Sequence, residues 1–130
     1  MAIELDHLLV PVPDRVASAR LLASLLAVPW SEQGAVGPFS PVYVNHALTI
    51  DFDQAEGPYP VQHYCFRVDE PTFDAVLARL RSAGIGFRGL PHGPFDQTVN
   101  TAHGGRIVYW SEPGGHLWEL LTLSYARQPS

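Results

Sequence analysis

The sequence predicts an α+β fold made of two βαβββ modules, whose strands form a curved mixed sheet around a shared cup with the helices on the outer face. Three observations lead there. Two strand-like segments, "LDHLLVPV" at 5–12 and "VQHYCFRV" at 61–68, each place a histidine third among alternating apolar residues. Each is followed by a helical segment and then by further strands. Each half also sets one carboxylate inside an apolar strand, Asp51 in "LTIDFD" and Glu119 in "HLWELLTL".

The elements follow in order. The first helix is expected over "DRVASARLLASLLAV", 14–28, with Asp14 as its cap. The second is expected over "EPTFDAVLARLRSAG", 70–84, with Pro71 in the first turn and Gly84 at the exit. There Phe73, Val76, Leu77 and Leu80 repeat at helical spacing and form one apolar face. "SPVYVN" and "ALTIDFD" supply strands within 40–53, and "GRIVYWS" and "HLWELLTL" supply them within 105–123. The third strand of each half has the weakest pattern. His7 and His63 stand 56 positions apart and Asp51 and Glu119 stand 68 apart, so the second half carries about twelve extra residues. These fall in the loop "LPHGPFDQTVNTAHGG", 90–105. The expected organisation is one domain over 1–130, with module one near 3–54 and module two near 61–124.

Strand parity converts this pattern into chemistry, because residues two apart share a face. Leu8, Val10 and Val12 are assigned to the helix side, and Leu5, His7 and Leu9 to the cup. Tyr64, Phe66 and Val68 likewise face the helix, leaving His63, Cys65 and Arg67 toward the cup. Leu48, Ile50 and Phe52 face the helix, and Thr49, Asp51 and Asp53 the cup. Trp118 and Leu120 face the helix and Glu119 the cup. Two histidines and two carboxylates are thus expected on one concave surface. A carboxylate such as Glu119, flanked by Leu117, Trp118, Leu120 and Leu121, is costly unless a partner or a cation meets it.

Composition narrows the function classes. The chain has 130 residues, 46% of them apolar and 16% charged, as in an ordinary globular domain. A net charge of −5 leaves no basic stripe for nucleic acid. All eight basic residues are arginine, so lysine Schiff-base chemistry is excluded. The single cysteine, Cys65, has no internal disulfide partner, and "MAIELDHLLV" has no basic region ahead of its apolar residues. A cytoplasmic location is therefore expected, with no membrane partner. Serine-nucleophile, phosphate-loop and dinucleotide-binding motifs are absent.

With these residues in place, the chain resembles the vicinal oxygen chelate superfamily, which includes glyoxalase I, extradiol ring-cleaving dioxygenases and bleomycin-resistance proteins. The resemblance runs from Ile3 to about Ser124. It implies a metal held by a histidine from the first strand of each module and a glutamate from the last, here His7, His63 and Glu119. A local match to the extradiol enzymes is "TAHGGRIVYWSEPGGHLWE", containing His103, Tyr109, the Glu112-Pro113 turn, Gly115 and Glu119. The Tyr109-to-Glu119 spacing fits that pattern, and the His103-to-Val108 gap is one residue short. Among small members the chain is most similar to those that oxidatively cleave and rearrange aromatic polyketides. What this implies is Fe(II) as cofactor, dioxygen as co-substrate, a hydroxylated polycyclic aromatic as substrate and a homodimer. Two imidazoles and one carboxylate form the facial set suited to non-haem Fe(II).

Other readings attach to particular residues. Asp51 reads as a fourth ligand in a glyoxalase-type isomerase or lyase, as a base, or as a strand-end carboxylate in water; it is one methylene shorter than the glutamate usual there. Tyr109 reads as a hydrogen-bond donor to substrate or as a packed aromatic. Arg67 reads as a partner for a phenolate or as an exposed strand end. His92 and His103 lie in the inserted loop, and His46 and His116 border strand starts. Cys65 lacks a neighbouring base and is a poor nucleophile. Trp30, Phe39, Tyr43, Phe95 and Trp110 offer aromatic surface for a flat ligand or for the core. A metal-free drug-binding protein is a further alternative, against which the triad itself counts.

Overall fold

The computed structural model describes residues 3–127. The chain divides into two compact units, Met1–Pro60 and Val61–Ser130. The first contains β1 (His7–Val12), α1 (Arg15–Leu26), β2 (Phe39–Tyr43) and β3 (Thr49–Gln54). The second contains β4 (His63–Arg67), α2 (Glu70–Ser82), β5 (Ile107–Ser111) and β6 (Leu117–Leu121).

One topology serves both units. β1 runs parallel to β3, which pairs antiparallel with β2, giving the order β1-β3-β2. β4 runs parallel to β6, which pairs antiparallel with β5, giving β4-β6-β5. The first strand is joined to its parallel neighbour through the helix, the crossover that parallel pairing requires. The α+β class and the twofold repeat are as the sequence predicts. One strand of each βαβββ module, however, is reduced to isolated bridging: Trp30 beside Val42 in the first unit, and Arg88 beside Tyr109 in the second, where Asn100 also bridges Ile107. Proline explains the first case. Pro29 has no N–H to add to a ladder, so pairing there ends with its carbonyl accepting from the Tyr43 amide. In the second, Gly86, Gly89 and Pro91 flank the bridge and interrupt the strand.

Helix starts are fixed by aspartate caps. The Asp14 carboxylate accepts from the Ala17 amide at 3.1 Å. Asp69, one residue before the expected start, accepts from the Thr72 amide at 2.9 Å, with Pro71 in the first turn. Gly84, at φ +68°, turns the chain out of α2. Within α2 the apolar face of Phe73, Val76, Leu77 and Leu80 is buried.

Burial alternates along β1, β3 and β4, whereas β5 and β6 are buried on both faces. Val10, Val12, Ile50, Phe52, Trp118 and Leu120 are buried, while Leu9 and Leu5 are exposed and Asp51 is half-buried. The inserted loop is anchored by Arg88, whose guanidinium donates to the carbonyls of Leu90, Pro91 and Gly93 and stacks over Phe95. Its return to β5 passes very close to the segment after β6. A Cβ on Gly105 would lie 2.7 Å from Leu123 Cβ and 2.9 Å from the Leu123 amide nitrogen. Backbone cannot yield as a flexible side chain can. Gly105→Ala is therefore expected to lower stability by about 1–3 kcal/mol, read as a lower urea midpoint at unchanged slope.

Candidate metal centre

The two sheets repeat one diagonal. In the second unit His63 stands opposite Leu117 in the parallel pair, and Glu119 lies two residues further along β6. In the first, His7 stands opposite Thr49, and Asp51 lies two residues further along β3. Since positions two apart share a face, each histidine has a carboxylate diagonally beside it.

In the second unit the diagonal closes. His63 Nε2–H donates to Glu119 Oε1 at 2.7 Å. Glu119 is fully buried, a state that costs several kcal/mol unless the carboxylate is paired and hydrogen-bonded. A second partner is Tyr125, whose hydroxyl donates to it, lying 2.9 Å from Oε1 and 2.7 Å from Oε2. Cys65 on β4 and Tyr109 on β5 are the register neighbours of Glu119 on either side. The Tyr109 ring sits 5.8 Å from the His63 ring. Burial, followed by the interaction with Tyr109 and the charge of Glu119, pushes the Tyr125 phenol well above the ordinary tyrosine range. Burial likewise raises the Tyr109 phenol. Both therefore remain protonated donors at neutral pH. Burial also pushes the Cys65 thiol up to about 12, with the Glu119 carboxylate adding to the effect.

In the first unit the diagonal stays open. His7 Nδ1–H donates instead to its neighbour Asp6 at 2.8 Å, and this bond raises the His7 pKa. The shorter Asp51 side chain makes no hydrogen bond to His7. Burial raises the Asp51 carboxyl, and His7 partly offsets that shift. A proton fixed on Nδ1 leaves Nε2 as the free donor of His7, the arrangement in which a carboxylate orients a ligating histidine. His7 and Asp51 share a cleft of about 390 Å³, with Phe39, Tyr43 and Val36 among its walls.

Other candidates take different places. His103 lies in the exposed loop, its ring 5.7 Å from that of Tyr125. His116 is completely buried, and its Nδ1 accepts from the Gln62 amide at 2.9 Å, so it joins β4 to the β5–β6 turn. Trp110 is core, and Trp30 lies under Arg20. Tyr125 and Asp6 were not signalled by the strand pattern. Tyr125 follows β6 in a segment without periodicity, and Asp6 gives only the adjacency of an acid to a histidine.

Imidazole and carboxylate are donor types that suit a divalent metal. His63 and Glu119 offer a nitrogen and a carboxylate at one point, and His7 keeps Nε2 free. Among the described residues, no three His, Cys, Asp or Glu side chains are grouped as a metal-holding cluster. No helix among them is long and apolar enough to cross a membrane.

The fold and the repeated histidine–carboxylate diagonal define a class: the chain belongs to the vicinal oxygen chelate superfamily. Within it, the solved oxidase ChaP-H1 is 40% identical over 97% of this chain and 100% of its own, with a TM-score of 0.86. The oxidase ChaP-H2 is 36% identical over 97% of this chain and 98% of its own, with a TM-score of 0.88. Fosfomycin resistance protein FosX from Listeria monocytogenes shares the fold at 18% identity, covering 96% of this chain and 94% of its own, with a TM-score of 0.69. No family model and no curated sequence matches the chain. The two oxidase relatives support an oxidoreductase.

Two outcomes are expected at this centre. Tyr125→Phe removes the donor shared by both Glu119 oxygens and should lower stability by about 1–2 kcal/mol in urea unfolding, the lower part of the range for charged hydrogen bonds because the tyrosine is partly exposed. Cys65, whose pKa is raised, forms thiolate only as pH climbs toward 12. Its alkylation by iodoacetamide at pH 8 should be about thirty- to a hundredfold slower than that of an ordinary thiol, the smaller thiolate fraction being partly offset by the greater nucleophilicity of a more basic thiolate, and should accelerate steadily as pH rises.

Proposed function

We propose that the protein is an Fe(II)-dependent dioxygenase that cleaves and rearranges a C–C framework in a hydroxylated polycyclic aromatic, an aromatic polyketide of antibiotic biosynthesis. His7, His63 and Glu119 would hold the metal, and the enzyme would act as a homodimer. One observation carries the reading: a fully buried glutamate bonded at 2.7 Å by a histidine from the first strand of its sheet, in a chain with oxidase relatives at 36% and 40% identity. Bound Fe(II) would supply open positions at which two adjacent substrate oxygens and dioxygen meet.

The chain's own residues have separable tasks. Glu119 contributes the negative charge, held in one orientation by the Tyr125 hydroxyl. His63 must give up the Nε2 proton that now bonds Glu119 before that nitrogen can ligate. Asp6 fixes the His7 tautomer with Nε2 outward. Tyr109 keeps its phenolic proton at neutral pH and can donate it to a substrate oxygen, and His103, beside Tyr125, is the second group for moving protons. A specific observation favours one other reading. Asp51 lines the same cleft as His7, as a glyoxalase-type isomerase or lyase with a fourth ligand would require.

The test is metal binding and oxygen uptake on protein prepared without air and loaded with Fe(II), Ni(II) or Zn(II), with 1,2-dihydroxynaphthalene as probe. Oxygen uptake is expected with Fe(II) alone. It should fall by about a hundredfold or more in Glu119→Ala and Glu119→Gln. Fe(II) affinity should weaken as pH falls, because protons compete with the metal for imidazole and carboxylate ligands. Turnover of the probe without oxygen use would favour the isomerase, and undiminished uptake in both Glu119 variants would sink the iron proposal.

A further inference from the structure

Next to Glu119 the second unit has a cleft of about 300 Å³ lined by Cys65, Arg67, Leu121, Ser124, Tyr125 and Ala126. Its charge is unusual for this chain. Most other arginines are committed: Arg15 to the Glu32 carbonyl and Ser40, Arg88 to three loop carbonyls, and Arg106 to Glu70 and Asp74. Arg20 and Arg81 lie over aromatic rings. Among the described residues, no carboxylate or carbonyl engages the Arg67 guanidinium, and no acidic side chain lines this cleft. Ser124 Oγ accepts from the Ala126 amide at 3.2 Å, which leaves its own hydrogen to donate. Leu121, Ala126 and the Tyr125 ring supply flat apolar wall.

We infer that this cleft is a subsite for a carboxylate carried by the aromatic substrate, with Arg67 as the specificity-determining residue and Ser124 as the second donor. The inference rests on the proposed aromatic substrate and deepens it to an acidic one. A guanidinium fork matches a carboxylate in plane and spacing, and an unpaired cation on an apolar wall favours an anion attached to a hydrophobic body. Arg67 lies four residues along β4 from His63, on the same face. That separation is about 13 Å of strand, which the arginine side chain shortens. A fused aromatic of a few rings would place its reacting edge at His63 and Glu119 and its carboxylate at Arg67.

The test compares 2-naphthoate with 2-naphthamide, which share a shape and differ in charge, by calorimetric titration into the full metal-free chain. Naphthoate is expected to bind about tenfold more tightly, and added salt should weaken naphthoate alone. Arg67→Gln should erase the preference while leaving naphthamide affinity as it was, and Arg67→Lys should keep part of it. Equal affinities in the unsubstituted chain, no binding of either probe, or a preference that survives Arg67→Gln would each overturn the subsite. Because no metal is added, the result is independent of whether the oxygen-uptake experiment succeeds.

Discussion

A carboxylate removed from water must be answered by charge or hydrogen bonds, and Glu119 is the place where this chain meets that demand. The glutamate sits in the central strand of its sheet, between Cys65 on one side and Tyr109 on the other. Neither strand neighbour is its closest partner. That part falls to His63 on the diagonal and to Tyr125, brought back by the turn after β6. The sheet order, the parity of β4 and the course of the chain beyond Leu121 therefore all bear on one side chain. A buried ion pair is weak evidence for stability, since apolar packing of the same volume often does as well.

Much of this was legible in the sequence because period-two alternation is a strong signal. The expectation that Glu119 and His63 share a face followed from parity alone, and the repeat of "LDHLLVPV" in "VQHYCFRV" located both histidines. Strand positions were readable for the same reason, and the helices from their own 3.6-residue apolar repeat and capping residues. What stayed hidden was not periodic. Tyr125 acts from an irregular segment, and nothing in "LTLSYARQPS" shows that the chain turns back on Glu119. The strand of each module that shrinks to bridging leaves no alternation to read, and Pro29 limits it in the first unit by lacking a donor. His116 read only as bordering a strand start, yet its ring is fully buried and holds the Gln62 amide. Strand-border histidines carry no mark of which side they face.

The two units share a scaffold and differ in chemistry, and the difference comes down to small changes at equivalent points. Asp51 occupies the register position of Glu119 but is one methylene shorter, and His7 turns to Asp6 rather than across the sheet. Where β5 sets Tyr109 against Glu119, β2 sets Pro41 against Asp51, a residue with no hydroxyl to offer. One unit thus holds a histidine already bonded to its carboxylate, and the other a histidine whose outer nitrogen is free. The asymmetry comes from the first unit's own sequence: one methylene fewer at position 51, an acid at position 6 that accepts the His7 Nδ1–H, and a proline where the second unit has a tyrosine.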